Sequence, residues 1–544
     1  MHGEGIEEKR DKGEKKKMMM QILQVEMEMG SRFFIISLFL LNLSLSCLGE
    51  NVTITVKGLT AISKTDDAYV CATIDWWPFT KCNTYTCPWG NTSILTLDVE
   101  NPMLINAVKE FQNLRIRVGG SLQDNVLYNV GESVNNCTYD FTYSPDDLFG
   151  YTSGCLSMER WEQVNEFFYI TGALVTFGLN ALYGKTKPTE PGDTLWTGMW
   201  DSSNARDFIG YTAAMGFQIE GWEFGNELSG SGVAARVDPH DYADDITALK
   251  ILVTELYENS SFQPKISGPS GFFDRKWFAD FLEATDINFV DVVSHHIYNL
   301  GQGDDPNLVE KMQDPFVLDS TAQTYKDIQQ TVQSYTPWAS IWVSESGGAY
   351  NNGGDASHTF VDGFWYTDML GMASAYGHQV FCRQTLIGAN YGLLDTTTME
   401  PNPDYYSALL FHRLMGRGVL ATVHNGQPHL RAYSHCSRIT PGITLLLINL
   451  SNSTEFIIDV ISDRNKDVGS VGMLGERWEY HLTPKGGDLT STTVLLNGNP
   501  LEVTSSGKIP PMSPAFYNDS IPLRVAPSSI VFVVLTQFNV PACA

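Results

Sequence analysis

The sequence predicts a (β/α)8 TIM barrel followed by a β-sandwich. Two observations carry this. Between residues 65 and 412, eight short apolar, β-branched runs alternate with amphipathic stretches. From about residue 413 the alternation stops, and short strand-like runs separated by turn residues take over. A chain of 544 residues, 43% of them hydrophobic, is long enough to build both cores.

Taken in order, residues 1–49 stand outside the fold. Arg32 precedes the apolar run FFIISLFLLNLSLSCL at 33–48, and Cys47 and Gly49 occupy the −3 and −1 positions of a cleavage point before Glu50. This reads as a secretion signal, too short for a membrane span. Residues 1–28, rich in Lys and Glu, are an extension ahead of Met29. An alternating strand follows at 52–56. Assigning 50–64 to the sandwich makes that domain, completed by 413–544, discontinuous. The barrel strands are expected at 70–75, 114–118, 173–178, 217–224, 265–267, 290–296, 341–345 and 379–386. An excursion at 121–160 holds Cys137 and Cys155. It either shapes access to the barrel mouth or is a passive loop.

After the signal come eight cysteines, an even number that suits disulfides in a secreted chain. Cys137–Cys155 would close a local loop, and Cys436–Cys543 would tie down the tail. Cys82 and Cys87 lack the second pair of soft ligands that zinc needs, so neither metal nor cofactor is expected. Glycosylation sequons stand at Asn51, Asn91, Asn136, Asn259, Asn449, Asn452 and Asn518. The formal charge of −27 disfavours nucleic acid and densely sulfated polyanions as partners.

The chemistry concentrates in two segments. IEGWEFGNELSG, residues 219–230, runs an apolar strand into Asn226 and Glu227; IWVSESGGAYNNGG, residues 341–354, ends a strand at Glu345. These are the fourth and seventh barrel strands, and residues at the carboxyl ends of barrel strands face the active site. Two carboxyl groups meeting there suit glycoside hydrolysis, with one kept protonated to release the leaving oxygen and the other ionised to attack. Asn226, beside the acid, is placed to bond a sugar 2-hydroxyl.

At these residues the chain resembles the heparanase-like glycoside hydrolases, specifically the plant heparanase-like and baicalin β-glucuronidase branch. The resemblance runs from about residue 50 through ATID (72–75), RVGGS (117–121), GWEFGNELSG (221–230), SHHIYNLG (294–301), SESGGAYNNGG (344–354) and GANYGLLD (388–395). It implies Glu227 as acid/base and Glu345 as nucleophile. It implies Asp75, Ser121 and Asn226 at sugar hydroxyls, and Tyr298 beside the nucleophile. Tyr350, Tyr391 and the backbone N–H of Ala389 would receive a glucuronate carboxylate. His295 and His296 read as inner-barrel residues with satisfied hydrogen bonds. The acidic surface departs from animal heparanase and makes an extended sulfated substrate improbable.

The expected protein is therefore a secreted, retaining exo-β-glucuronidase of the extracellular matrix, cell wall or vacuole. It would act on glucuronic acid-containing glycans or small glucuronides, with peripheral membrane or wall association. The rival readings are an arabinofuranosidase or xylosidase on the same barrel, and a catalytically silent glycan-binding protein.

Overall fold

The computed structural model describes residues 49–82, 86–132, 134, 137, 140–463 and 476–544. The expected signal, apart from Gly49, and the Asn136 sequon lie outside these residues.

Strand β1 (Glu50–Lys57) precedes the barrel. The barrel strands are β2 (Val70–Ile74), β3 (Arg115–Val118), β4 (Leu174–Leu179), β5 (Gly221–Phe224), β6 (Lys265–Phe272), β7 (Val292–His296), β8 (Ser340–Ser346) and β9 (Val380–Arg383). They pair in parallel in sequence order and close β9 onto β2. All eight match the predicted runs. The reason is physical: parallel strands covered by helices are buried on both faces and read as continuous apolar stretches. Cys71 and Cys382 stand opposite one another in the β2–β9 pairing and form a disulfide, so the seam of the barrel is covalent. The pairs Cys137–Cys155 and Cys436–Cys543 form as expected, and Cys82–Cys87 closes a tight loop.

Helices wrap the barrel. α1 (Pro102–Lys109) follows β2, and α2 (Met158–Thr171), capped by the Ser157 hydroxyl, follows β3. Two helices depart from the usual amphipathic form. α3 (Asp362–Ala375) and α4 (Pro403–Leu414) are buried almost all round, because they lie between the barrel and the second domain.

That second domain uses β10 (Met415–His424), β11 (Leu430–Ser437), β12 (Ile443–Asn449), β13 (Phe456–Ser462), β14 (Arg477–Pro484), β15 (Leu523–Val525) and β16 (Ser529–Leu535). β1 pairs antiparallel with β10 and parallel with β13, so the N-terminal strand does belong to this domain. Its two layers are joined rather than separate. The ten-residue β10 pairs with β11 near its start and with β1 near its end, passing from one layer to the other, and the whole forms one mixed 12-stranded sheet. Alternation sets the packing of β12. Ile443, Leu445 and Leu447 enter the core of this domain, while Leu446 and Ile448 enter the core shared with the barrel.

One sequon is corrected here. Asn449 ends β12 fully buried. Its Nδ2 donates to the carbonyls of Thr454, Val525 and Ala526, and its Oδ1 accepts from Ser451 N–H. A glycan on Nδ2 would displace the bonds that this nitrogen donates and has no room in the enclosed site. Asn51, Asn91, Asn259, Asn452 and Asn518 are exposed.

Candidate active site

The chain leaves β5 through Gly225 and Glu227, both with positive φ, at 68° and 56°. A left-handed glutamate is strained by about 1–2 kcal/mol. It is held from both sides, since Glu227 N–H donates to Ser270 C=O at 2.7 Å and its C=O accepts from Val233 N–H at 3.1 Å. Glu227 Oε1 lies 3.0 Å from His296 Nδ1 on β7. Burial pushes the Glu227 carboxyl up to about 7, partly opposed by Arg117, and burial pushes the His296 imidazole down to about 4. Around pH 6 both are neutral, so the contact is a hydrogen bond that orients the carboxyl, not an ion pair.

Glu345 ends β8 in a different setting. Its Oε2 accepts from Arg117 Nη1 at 2.7 Å, and its Oε1 accepts from Tyr298 O–H at 2.8 Å. Ligand atoms of Glu227, His296 and Glu345 all lie within 4.8 Å of one another. This trio has metal-binding residue types. Its chemistry suits a proton-and-anion pair better, because the Arg117 cation and a phenol already engage Glu345.

Arg117 on β3 is the hub. Besides Glu345 it binds Glu223 of β5, Nε to Oε1 at 2.7 Å, and donates through Nη2 to Asn226 Oδ1 at 2.8 Å. Burial works against its charge, but the Glu223 and Glu345 carboxylates outweigh it and hold the guanidinium above its usual value. Asn226 is thereby fixed with its Nδ2 unpartnered among the described residues, while its N–H donates to Asp124 Oδ2. Asp75 is buried at the end of β2. Its Oδ1 accepts from Trp76 and Trp77 N–H, and its Oδ2 accepts from Gln384 Nε2. Gly120 of the RVGGS stretch has φ 125°, and a Cβ there would come within 2.3 Å of Asp75 Oδ2, so only glycine fits.

Around the acids opens a cleft of about 500 Å³. Glu227, Glu345, Ser121, Tyr298, Tyr350 and Tyr391 line it. Tyr350 is 41% exposed. Asp75 and Asn226 lie buried and are tied into the site through Gln384 and Arg117. Ala389 is buried at φ 52°, is not part of the lining, and its N–H bonds no backbone carbonyl among the described residues. The excursion after β3 is no passive loop. Phe149 lines the cleft, Phe149 and Tyr151 pack edge-on against Trp77, and Tyr151 O–H donates to Thr80 C=O.

Comparison with known proteins agrees with this architecture. Residues 51–371 match the description "Glycosyl hydrolase family 79, N-terminal domain". Heparanase-like protein 1 of Arabidopsis thaliana is 47% identical over 520 residues, covering 91% of this chain and 95% of that protein. The chain is a member of glycosyl hydrolase family 79. This family-79 chain is also 41% identical to baicalin-beta-D-glucuronidase of Scutellaria baicalensis over 500 residues, 90% of this chain and 93% of that one. Solved structures share the fold. A 4-O-alpha-L-rhamnosyl-beta-D-glucuronidase from Fusarium oxysporum superposes with a TM-score of 0.58 at 16% identity, over 89% of this chain and 100% of that one. The family-51 arabinofuranosidase of Xanthomonas axonopodis gives 0.61 at 14%, over 89% and 99%. The protein is a glycoside hydrolase.

Arg117, Glu223, Asp124 and Gln384 of this family-79 site escaped the sequence reading, and His296 was misread. His296 contacts Glu227 and its Nε2 has no partner among the described residues, so it is not a fully satisfied barrel residue. A signal was present: an Arg or Glu inside a four-residue apolar barrel strand must find a buried counter-charge.

Titration of the site has a consequence for the fold. Asp75 is pushed up to about 7 by burial and the Glu345 charge, and Asp124 and Glu227 reach about 7 by burial. Such groups favour the folded state fully only below their unfolded values, near 4, and lose that contribution as pH rises through about 7. Buried His295, His296, His378, His412 and His435, all shifted down by burial, act oppositely below 6.5. The opposed slopes cancel only in part below pH 6.5, five imidazoles against three carboxyls. The melting temperature is expected to rise gently from about pH 5 to 6.5 and to fall by pH 8. A melting temperature that rises from pH 6.5 to 8 would contradict these shifts.

Proposed function

We propose that this hydrolase is a retaining exo-β-glucuronidase that removes terminal β-linked glucuronic acid from glycans or small glucuronides. The observation that carries it is the carboxyl pair, within 4.8 Å, in opposite electrostatic settings. A separation of about 5 Å suits direct attack by one carboxylate, since an inverting pair needs more room for a water. Glu345 attacks the anomeric carbon while protonated Glu227 gives its proton to the departing oxygen, leaving a glycosyl ester on Glu345. Glu227, now a carboxylate, takes a proton from water as the water oxygen attacks the same carbon and frees Glu345. The free Asn226 Nδ2 is the donor for a 2-hydroxyl. Tyr350, Tyr391 and the Ala389 N–H supply neutral donors for the carboxylate, and Asp75 and Ser121 bond other hydroxyls. The named relative from Scutellaria supports the sugar.

A panel of p-nitrophenyl glycosides tests the reading. The β-D-glucuronide is expected to be turned over at least tenfold better than the xyloside or arabinofuranoside. Higher turnover of either pentoside would overturn it, and no turnover of any would favour a silent binding protein. Because Glu227 must hold its proton, kcat/KM is expected to fall about tenfold per pH unit above about 7. In Glu227→Gln that limb should vanish from the residual activity. We also propose secretion into an acidic wall or vacuolar setting, which four disulfides and five exposed sequons support.

A further inference from the structure

Lys81 stands in the loop after β2, directly before the Cys82–Cys87 disulfide. Among the described residues it is the one Lys or Arg that lines the cleft. Its ammonium lies 3.9 Å from the centroid of the Trp77 ring, and it makes no ion pair among the described residues. Burial pulls its pKa down and the Asp75 charge pulls it up. A half-buried cation, with a ring face but no carboxylate against it, is unsatisfied in a way that surface lysines are not.

The rest of the site shows what this charge is for. Arg117, the cation beneath the acids, is already shared between Glu223 and Glu345. Asp75, Glu227 and Glu345 all bear on the sugar position. The carboxylate donors of the proposed pocket, two phenols and an amide, carry no formal charge. The Glu223 and Glu345 carboxylates together outnumber Arg117, so a uronate meets no free positive charge except Lys81 among the described residues that line the cleft. The loop that bears Lys81 follows the first barrel strand. It lies across the ring from Val233, after the fourth strand, and Phe272, at the end of the fifth, which line the cleft with Glu227 where the leaving group must depart. The loop is braced. Trp77 packs on Phe149 and Tyr151, and Thr80 C=O accepts from Tyr151 O–H.

We infer that Lys81, seated on Trp77, is a specificity-determining residue that supplies the counter-charge to the sugar carboxylate and so selects uronides over neutral glycosides. This rests on the glucuronidase reading above. The test compares kcat/KM for p-nitrophenyl β-D-glucuronide and p-nitrophenyl β-D-glucoside in wild type, Lys81→Met and Lys81→Arg, at low and high salt. In Lys81→Met the glucuronide-to-glucoside ratio is expected to fall about tenfold or more, chiefly through KM for the glucuronide. Lys81→Arg should recover most of the ratio. In wild type, added salt should raise KM for the glucuronide only, and Lys81→Met should lose that response. A ratio unchanged in Lys81→Met, or both substrates weakened alike, overturns the inference. If Lys81→Met does not fold, a wild-type glucuronide KM indifferent to salt overturns it as well. Wild type inactive on the glucuronide would instead sink the reading on which it rests.

Discussion

Glu345→Ala is expected to lower kcat/KM for an aryl β-glucuronide by on the order of 10⁴ or more, the scale seen when a catalytic nucleophile is removed. Its oxygens face a guanidinium at 2.7 Å and a phenol at 2.8 Å, so the carboxylate is aimed before substrate arrives. Glu227→Ala should cost about 10²–10⁴. It should cost least with a nitrophenyl leaving group, which departs without help from an acid. Added azide separates the two roles. It should restore turnover in Glu227→Ala as a β-glycosyl azide, since Glu345 can still form the ester, and in Glu345→Ala it should give the opposite anomer. Product analysis by NMR reads the difference. Identical azide products from both variants would reverse or dissolve the assignment.

The second large effect is expected at Arg117. Arg117→Met leaves Glu223 and Glu345 as neighbouring buried carboxylates without a counter-charge and frees the Asn226 side chain. Removing one partner of a buried ion pair costs about 3–5 kcal/mol. Chemical denaturation should show a loss of that size. Activity should fall by at least about 10², because the proposed nucleophile Glu345 and the proposed 2-hydroxyl donor Asn226 lose their positions together. Adding Glu223→Gln to Arg117→Met should recover stability, since it removes one of the stranded charges, but not activity. A single variant as stable as wild type would show that the cluster is not coupled as its geometry demands.

Sequence reading reaches the meeting of Glu227 with Glu345 and stops short of Arg117. Glu227 and Glu345 were legible because each is an acid at the end of an apolar strand, and strand order places both at the barrel mouth. Arg117 was visible only as part of a motif. What gives it meaning is Glu223, which is 106 positions away and becomes its neighbour only when the barrel closes. His296 failed for the same reason, since its partner Glu227 is 69 positions distant. The Asn449 sequon shows the converse error. A three-residue pattern carries no information about burial, and the end of β12 is entirely enclosed. Strand β1 was read correctly from its alternation alone, because one of its faces meets a core and the other meets solvent.

The position of β1 bears on how the chain is made. Its partners, β10 and β13, are encoded after the entire barrel. At a synthesis rate of about 5–20 residues per second, the strand emerges tens of seconds before anything can pair with it. Throughout that interval Val52, Ile54 and Val56 have no core to enter, and the ribosome-bound chain carries an open strand edge at its leading end. The sheet domain therefore cannot be completed until β10 and β13 have followed the barrel out of the ribosome. Chaperone demand during biogenesis is expected to centre on this segment rather than on the barrel.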